Sequence, residues 1–322
     1  MRDLEELQLL IEQEIGKINH SNNSPKQLYQ PIEYALGLGG KRMRPILVLM
    51  AHQLFDKDID VAISPALAIE VFHNFTLLHD DIMDKAPLRR GQQTVHEKWN
   101  SNVAILSGDT MLVQAYQLMC NVNKDILKEI LDVFNKAAVQ VCEGQQWDMN
   151  FETQSDVSIP DYLKMIEYKT AVLLAASLQI GGITAGVSLK EQNHLYEFGR
   201  NMGIAFQLKD DLLDVFGNSE TFGKQVGGDI RVNKKTYLYL KALALANPNQ
   251  HADLINYFST TELAEDKVEA VKSIFLALDL HNVTSELMKD YHAKAMQHLD
   301  VINSENKEPL LEFSAMLLGR VS

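Results

Sequence analysis

Cysteine is nearly absent: only Cys120 and Cys142 occur in 322 residues, and neither sits in a CxxC or histidine-rich spacing. That argues against a disulfide framework and a cysteine-based zinc site, and leaves two buried thiols as the expectation. Proline is scarce at 8 residues, so little interrupts long helices. Positive charge is also short, with 30 Lys and Arg against 43 Asp and Glu and a formal net charge of −13. Nucleic acid is therefore not expected as a partner, because binding it needs a basic face. An anionic substrate stays admissible where divalent cations separate the two negative sets. The charged opening Met1-Arg2-Asp3-Leu4-Glu5-Glu6 does not resemble a secretory leader, so a cytoplasmic location is expected. The longest charge-free run, residues 170–189, approaches the roughly 20 apolar residues that a membrane span needs. Ser177, Gln179, Gly181, Gly182, Thr184, Gly186 and Ser188 interrupt it. It reads as a buried helix ending at the Gly pair, with no transmembrane segment.

What is present is helical. Hydrophobic residues make up 46% and charged residues 23% of the chain, an ordinary globular balance. Leu4, Leu7, Leu10, Ile11 and Ile15 recur at helical spacing, and Ser21 to Pro25 breaks that first helix. The patterning predicts further helices over 46–54, 64–84, 102–121, 126–150, 161–179 and 192–216. Between them, 85–93 and 151–160 read as loops, and the Gly- and charge-rich 217–235 as a functional loop. No alternating strand pattern emerges. An all-α chain forming one domain over 1–322 is the expectation.

Two acidic motifs carry the chemistry. His79-Asp80-Asp81-Ile82-Met83-Asp84 places three carboxylates at a predicted helix C-terminus. Asp80 and Asp84, at i and i+4, share a face and repel each other. Negative charge at that helix end also opposes the macrodipole. A hard divalent cation removes both penalties, and carboxylate oxygens are what Mg²⁺ selects. Asp210-Asp211-Leu212-Leu213-Asp214 repeats the pattern 130 residues on (210 − 80). Leu212 and Leu213 are expected to supply the core face there, with the acids pointing away. Neither motif has the alternating ligands, central Gly and terminal Glu of an EF-hand loop.

Basic residues flank both motifs. Lys41 and Arg44 lie in Gly39-Gly40-Lys41-Arg42-Met43-Arg44-Pro45, Arg89-Arg90-Gly91 follows the first acidic motif, and Lys224 and Lys234 bracket Gly227-Gly228-Asp229 after the second. Arg offers a planar fork of donors and Lys a point charge, both suited to diphosphate oxygens. A Mg²⁺-dependent enzyme acting on a small diphosphate-bearing substrate follows.

Across nearly its whole length the sequence resembles the trans-isoprenyl diphosphate synthases, or polyprenyl synthetases. The resemblance rests on GGKRMRP at 39–45, HDDIMD at 79–84, RRG at 89–91, GDTML at 108–112, EYKT at 167–170, FQLKDDLLD at 206–214 and GKQVGGD at 223–229, all in the family's order. Gln93 departs from it, standing where the family usually has Pro. The resemblance implies a single large helical bundle with a central cavity. It implies prenyl transfer: an allylic diphosphate ionises, isopentenyl diphosphate attacks the carbocation, and proton loss leaves a trans-polyprenyl diphosphate one unit longer. Asp80, Asp84 and Asp210 would hold three Mg²⁺ ions, supported by Asp81 and Asp214. Arg89, Lys169, Lys224 and Lys234 would contact the allylic diphosphate, and Lys41, Arg44, His73 and Arg90 isopentenyl diphosphate. Thr170 and Gln207 would face the developing cation. A homodimer is likewise implied by the resemblance alone.

For product length, Phe75 lies five residues before Asp80, about 7.5 Å along a helix. With Thr76 and the deeper Phe72 it resembles the family's floor beneath the growing chain, and the first motif has no insertion. A C15–C20 product is expected, with a medium- or long-chain synthase as the alternative. A terpene cyclase would not need Lys41, Arg44 and Arg90. A non-catalytic regulatory subunit usually shows damaged acidic motifs, and both are intact here.

Overall fold

The helical spacing of Leu7, Ile11 and Ile15 becomes the buried stripe of α1 (Leu4–Gly16). Its start is a capping box: Asp3 accepts from the Glu6 N–H at 2.9 Å and Glu6 from the Asp3 N–H at 3.1 Å, satisfying donors that a helix start leaves orphaned. The structure, a computed structural model, describes residues 2–217, 226–259 and 266–319. α2 (Lys26–Gly37), α3 (Met43–Gln53), α4 (Asp60–Met83), α5 (Val95–Lys98), α6 (Ser101–Met119), α7 (Lys124–Thr153), α8 (Ile159–Ile166), α9 (Val172–Thr184) and α10 (Leu189–Phe216) follow. Gly228–Arg231, Tyr237–Leu245, Pro248–Ser259, Lys267–Ala277, Leu280–Asp300 and Glu308–Gly319 complete the helices among the described residues. The fold is all-α, with one addition to the expected pattern. A two-residue ladder, β1 (Leu88–Arg89) against β2 (Gln92–Gln93), is antiparallel with Leu88 opposite Gln93. Two residues per strand are too few to show as alternation in a sequence.

The chain forms two compact units. The first comprises Met1–Asn135, Ala176–Leu195 and Asn303–Phe313. Its core helix is α4, which packs between α3 and α6 and buries Ala68, Ile69 and Phe72. Among the described residues α4 is the one helix long and apolar enough to cross a membrane by length and composition, but 61% of its most apolar stretch is buried within the protein. It also carries Glu70, His73, Asp80 and Asp81. The run at 170–189 ends later than expected. The helix passes through Gly181 and Gly182 to Thr184, because both glycines are needed for close packing: a Cβ at Gly181 would strike the Val48 carbonyl, and one at Gly182 the Leu195 side chain. The stop is at Gly186, φ +72°, where Gly186 N–H donates to Ile183 O at 3.0 Å and Val187 N–H to Gly182 O at 3.2 Å, a Schellman ending.

The second unit comprises Lys136–Ala175, Tyr196–Ile302 and Ser314–Ser322. Tyr162, Ile166, Leu208, Leu212, Val215 and Phe275 belong to its core. Helix α8 opens on a second capping box, Ser158 with Asp161. Both cysteines are free but exposed, against the expectation of buried thiols; each lies on the solvent side of its helix or helix end.

Candidate active site

In the first unit the acids sit where α4 ends. Lys85 N–H donates to Ile82 O at 3.3 Å and Ala86 N–H to Asp81 O at 2.9 Å, with Lys85 left-handed at φ +50°. This Schellman-type stop leaves Asp80 half-buried and Asp84 exposed, one turn apart on one side. Asp81, 5% exposed, turns elsewhere. Arg89 Nε donates to its two oxygens at 2.8 and 2.9 Å, and an Arg89 Nη lies 2.7 Å from Oδ1. Burial raises the Asp81 carboxyl while Arg89 pulls it down. The same guanidinium is 3.6 Å from Asp80, so one arginine braces two acids of the motif.

Arg89 is delivered by the hairpin. Arg90 and Gly91 have φ of +53° and +74°, the type I′ pattern of a two-residue loop. The Arg90 guanidinium folds onto the Gly39 carbonyl. Gly40, φ +135°, lies against it, and a Cβ there would sit 2.8 Å from the guanidinium carbon. Arg42, which sequence reasoning passed over, anchors this loop from beneath. Its guanidinium, 3% exposed, donates to Glu70 at 2.6 Å, Glu12 at 2.8 Å and Leu36 O at 2.6 Å. Burial lowers its pKa, but Glu12 and Glu70 outweigh that and raise it. Lys41 is exposed beside it.

Arg44 Nη1 lies 3.1 Å from His73 Nε2. A guanidinium only donates, so His73 Nε2 accepts and its proton is on Nδ1. Burial, then the charges of Arg44, Arg90, Arg89 and Arg42, holds His73 well below its ordinary range, hence neutral. Burial brings Arg44 down to about 10, which leaves it charged. Its Nε is buried with no hydrogen-bond partner, an orphaned donor of the kind an anionic ligand satisfies. Further along α4, Phe75 meets His79 edge-on at 4.8 Å and Phe72 at 5.6 Å, and Phe72 meets Phe134 at 5.2 Å. Thr76 Oγ1 donates to His73 O at 2.8 Å. Gly108 lies against the His79 ring, where a Cβ would collide.

In the second unit, Lys169 and Thr170 lie on a π-helical turn, Glu167–Ala171, between α8 and α9. The expected continuous helix over 161–179 thus carries an extra residue per turn, a feature that recurs at functional sites. Gly144 of α7 packs against it so closely that a Cβ would collide with the Lys169 backbone. Asp148, also unforeseen, accepts from Lys169 at 2.5 Å and from Lys234 at 3.4 Å. Burial would raise the Asp148 carboxyl, but the two lysines outweigh it and hold it low. Burial works against Lys234, yet Asp148, Asp229 and Asp211 keep it well above the usual lysine range. Lys224 lies outside the described residues.

The second acidic motif divides like the first. Asp210 and Asp214 are half-buried, and Asp214 Oδ2 accepts from the Asp229 N–H at 3.1 Å. Asp211 was expected to point away from the core; instead it is 3% exposed. It accepts from the Tyr162 hydroxyl and from Gln207 Nε2 at 3.3 Å. Burial, then the charge of Asp229, pushes it up to about 8, while its two donors act the other way. Gln207 Oε1 in turn accepts from Thr170 Oγ1 at 3.1 Å. A sequence signal existed: Leu208, Leu212 and Val215, all buried, put Asp211 on the apolar stripe of α10.

Among the described residues no three His, Cys, Asp or Glu side chains form a ready-made metal cage. Mg²⁺ is ordinarily held by one or two carboxylates together with substrate phosphates. The one-turn pair Asp80 and Asp84, with Asp81 withdrawn to Arg89, is a donor set of that kind.

Residues 25–275 match the polyprenyl synthetase family. A geranylgeranyl diphosphate synthase of Methanosarcina mazei is 33% identical over 299 residues, covering 92% of this chain and 90% of that one. A geranylfarnesyl diphosphate synthase of Natronomonas pharaonis is 36% identical over 307 residues, covering 89% and 88%. The crystal structure of a geranylgeranyl pyrophosphate synthase superposes with a TM-score of 0.95 at 46% identity, over 100% of both chains.

Proposed function

Because the chain belongs to the polyprenyl synthetase family, we propose that it condenses an allylic diphosphate with isopentenyl diphosphate to a trans-polyprenyl diphosphate, acting as one synthase domain. What supports this reading is a group of cations in each unit, suited to anion binding. Arg44 with its orphaned Nε, Arg90 and Lys41 form one set, and Lys169 with Lys234 on Asp148 the other. Two diphosphate substrates need two such sets, whereas a terpene cyclase needs one.

Asp80, Asp84 and Asp210 would hold Mg²⁺, three ions by the family's pattern, with Asp81 and Asp214 supporting. The metal supplies Lewis-acid stabilisation of the leaving diphosphate. Lys169, Lys234, Lys224 and Arg89 bind the allylic diphosphate, whose C–O bond breaks with the electron pair leaving on oxygen. The oxygens of Thr170 and Gln207 face the carbocation that remains. Lys41, Arg44, His73 and Arg90 hold isopentenyl diphosphate, whose double bond attacks the cation to form the new C–C bond. A proton then passes to the released diphosphate, so no side-chain base is required. Neutral His73 keeps Arg44's donors directed without adding a competing charge. Phe75, Thr76 and Phe72 set the length, and the product is farnesyl or geranylgeranyl diphosphate, C15–C20. The enzyme is proposed to be a cytoplasmic homodimer.

The test is incubation with labelled isopentenyl diphosphate and dimethylallyl, geranyl or farnesyl diphosphate, with Mg²⁺ or with chelator, then chromatography of the dephosphorylated products. Elongation that stops near C20 and vanishes with chelator is expected. No elongation from any starter would move the reading to a regulatory subunit or a cyclase.

A further inference from the structure

The two acidic motifs look alike in sequence, yet Asp211 leads away from a metal role. We propose that Asp211 is a positioning residue for Gln207, fixing which end of its amide faces Thr170. The inference rests on the reaction assigned above.

Asp211 is buried in the core of the second unit among Leu208, Leu212 and Val215. Its two oxygens are each engaged by a donor, Tyr162 Oη on one and Gln207 Nε2 on the other. An isolated Gln side chain has two amide orientations of similar energy, differing only in which end is donor and which acceptor. The short bond to Tyr162 lies on Oδ2, so a proton carried by Asp211 is held there and Oδ1 remains an acceptor: the NH₂ faces Asp211, and Oε1 faces Thr170. Thr170 Oγ1 donates to Oε1 at 3.1 Å, which is the only sense the bond can have with that orientation. The negative end of the amide dipole is thereby directed to the side where positive charge develops. Were the amide reversed, its NH₂ would face the cation, and the electrostatic contribution would change sign. Tyr162 completes the arrangement by holding the carboxylate itself; Asp211 and Gln207, one turn apart on α10, cannot change their relation while that helix stays intact.

The experiment is a double-mutant cycle in the full-length enzyme: Asp211→Asn, Gln207→Ala and the pair, measured by kcat, by KM for the allylic diphosphate and by the Mg²⁺ concentration for half-maximal rate. Asp211→Asn is expected to lower kcat by roughly tenfold to a hundredfold, with the Mg²⁺ requirement within about twofold of the parent's. In the Gln207→Ala background the same substitution is expected to have almost no further effect, since there is no amide left to orient. Tyr162→Phe, which keeps the ring and removes the hydroxyl, is expected to give a weaker form of the same loss and serves if Asp211→Asn does not fold. A several-fold rise in the Mg²⁺ requirement, or additive losses in the cycle, would overturn the proposal. An unmutated enzyme that elongates nothing would instead overturn the function on which it rests.

Discussion

Glu70→Ala tests whether the loop carrying Lys41 and Arg44 is held by the buried ion pair beneath it. Arg42 and Glu70 are 3% and 2% exposed and 2.6 Å apart, and Glu70 also accepts from Asn74 Nδ2 at 2.9 Å. Removing one partner of a buried pair costs about 3–5 kcal/mol, because the other charge is left in a poorly solvated place. Glu12 stays 2.8 Å from Arg42 Nε but is itself 40% exposed, so the lower half of that range is expected. For a chain of this size about 2 °C of melting temperature is lost per kcal/mol, giving a fall of roughly 6–8 °C. Function should follow selectively. Arg42 sits at a left-handed φ of +47° between Lys41 and Arg44, and a loosened Arg42 loosens both. The KM for isopentenyl diphosphate is expected to rise roughly tenfold while that for the allylic substrate stays within about twofold. Differential scanning fluorimetry and initial rates with each substrate varied in turn give both numbers. Arg42→Met with Glu70→Leu should recover at least half the stability, since apolar replacement of a buried pair is often neutral, but not the KM. A melting shift under about 2 °C, or equal changes in both KM values, would refute the reasoning.

Phe75→Ala opens the aromatic stack of Phe72, Phe75 and His79, and the product distribution should lengthen by at least one five-carbon unit on chromatography; an unchanged distribution removes Phe75 as the floor. Gly144→Ala would push a methyl into the backbone of Lys169, and kcat/KM should fall by about a hundredfold, whereas Gly16→Ala, with nothing within 4 Å, should leave kinetics unchanged. His73 has a sign that follows from its lowered pKa. Below about pH 6.5 the unfolded chain takes up a proton that the folded chain refuses, so His73 costs stability as pH falls through that value and nothing above it. Urea midpoints between about pH 7 and about pH 5.5 should therefore decline less steeply in His73→Gln than in the parent; equal slopes would contradict the neutral assignment.

Much of this was legible in the chain. The helical spacing of Leu7, Ile11 and Ile15 and the i, i+4 placement of Asp80 and Asp84 are local properties, set by 3.6 residues per turn. The extent of α10 was nearly right for the same reason, its apolar repeat being long and regular. The hairpin at Leu88–Gln93 escaped because its short ladder depends on a two-residue turn rather than on a pattern. The π-helical turn escaped because the insertion is stabilised by what packs on it, the bare backbone of Gly144. Asp148 escaped because its meaning comes from Lys169 and Lys234, 21 and 86 residues away.

The sequence by itself determined the helical class, the two acidic motifs and the cations that flank them, since composition and helical periodicity act over neighbours along the chain. Only the tertiary structure decided that the middle acid of each motif is buried against a donor, Asp81 against Arg89 and Asp211 against Tyr162 and Gln207. A residue one position along a helix points about 100° away from its predecessor, and which direction is core depends on what packs there. In both motifs the second acid falls on the buried side, where burial raises its pKa and a donor brought there by the fold meets its oxygens.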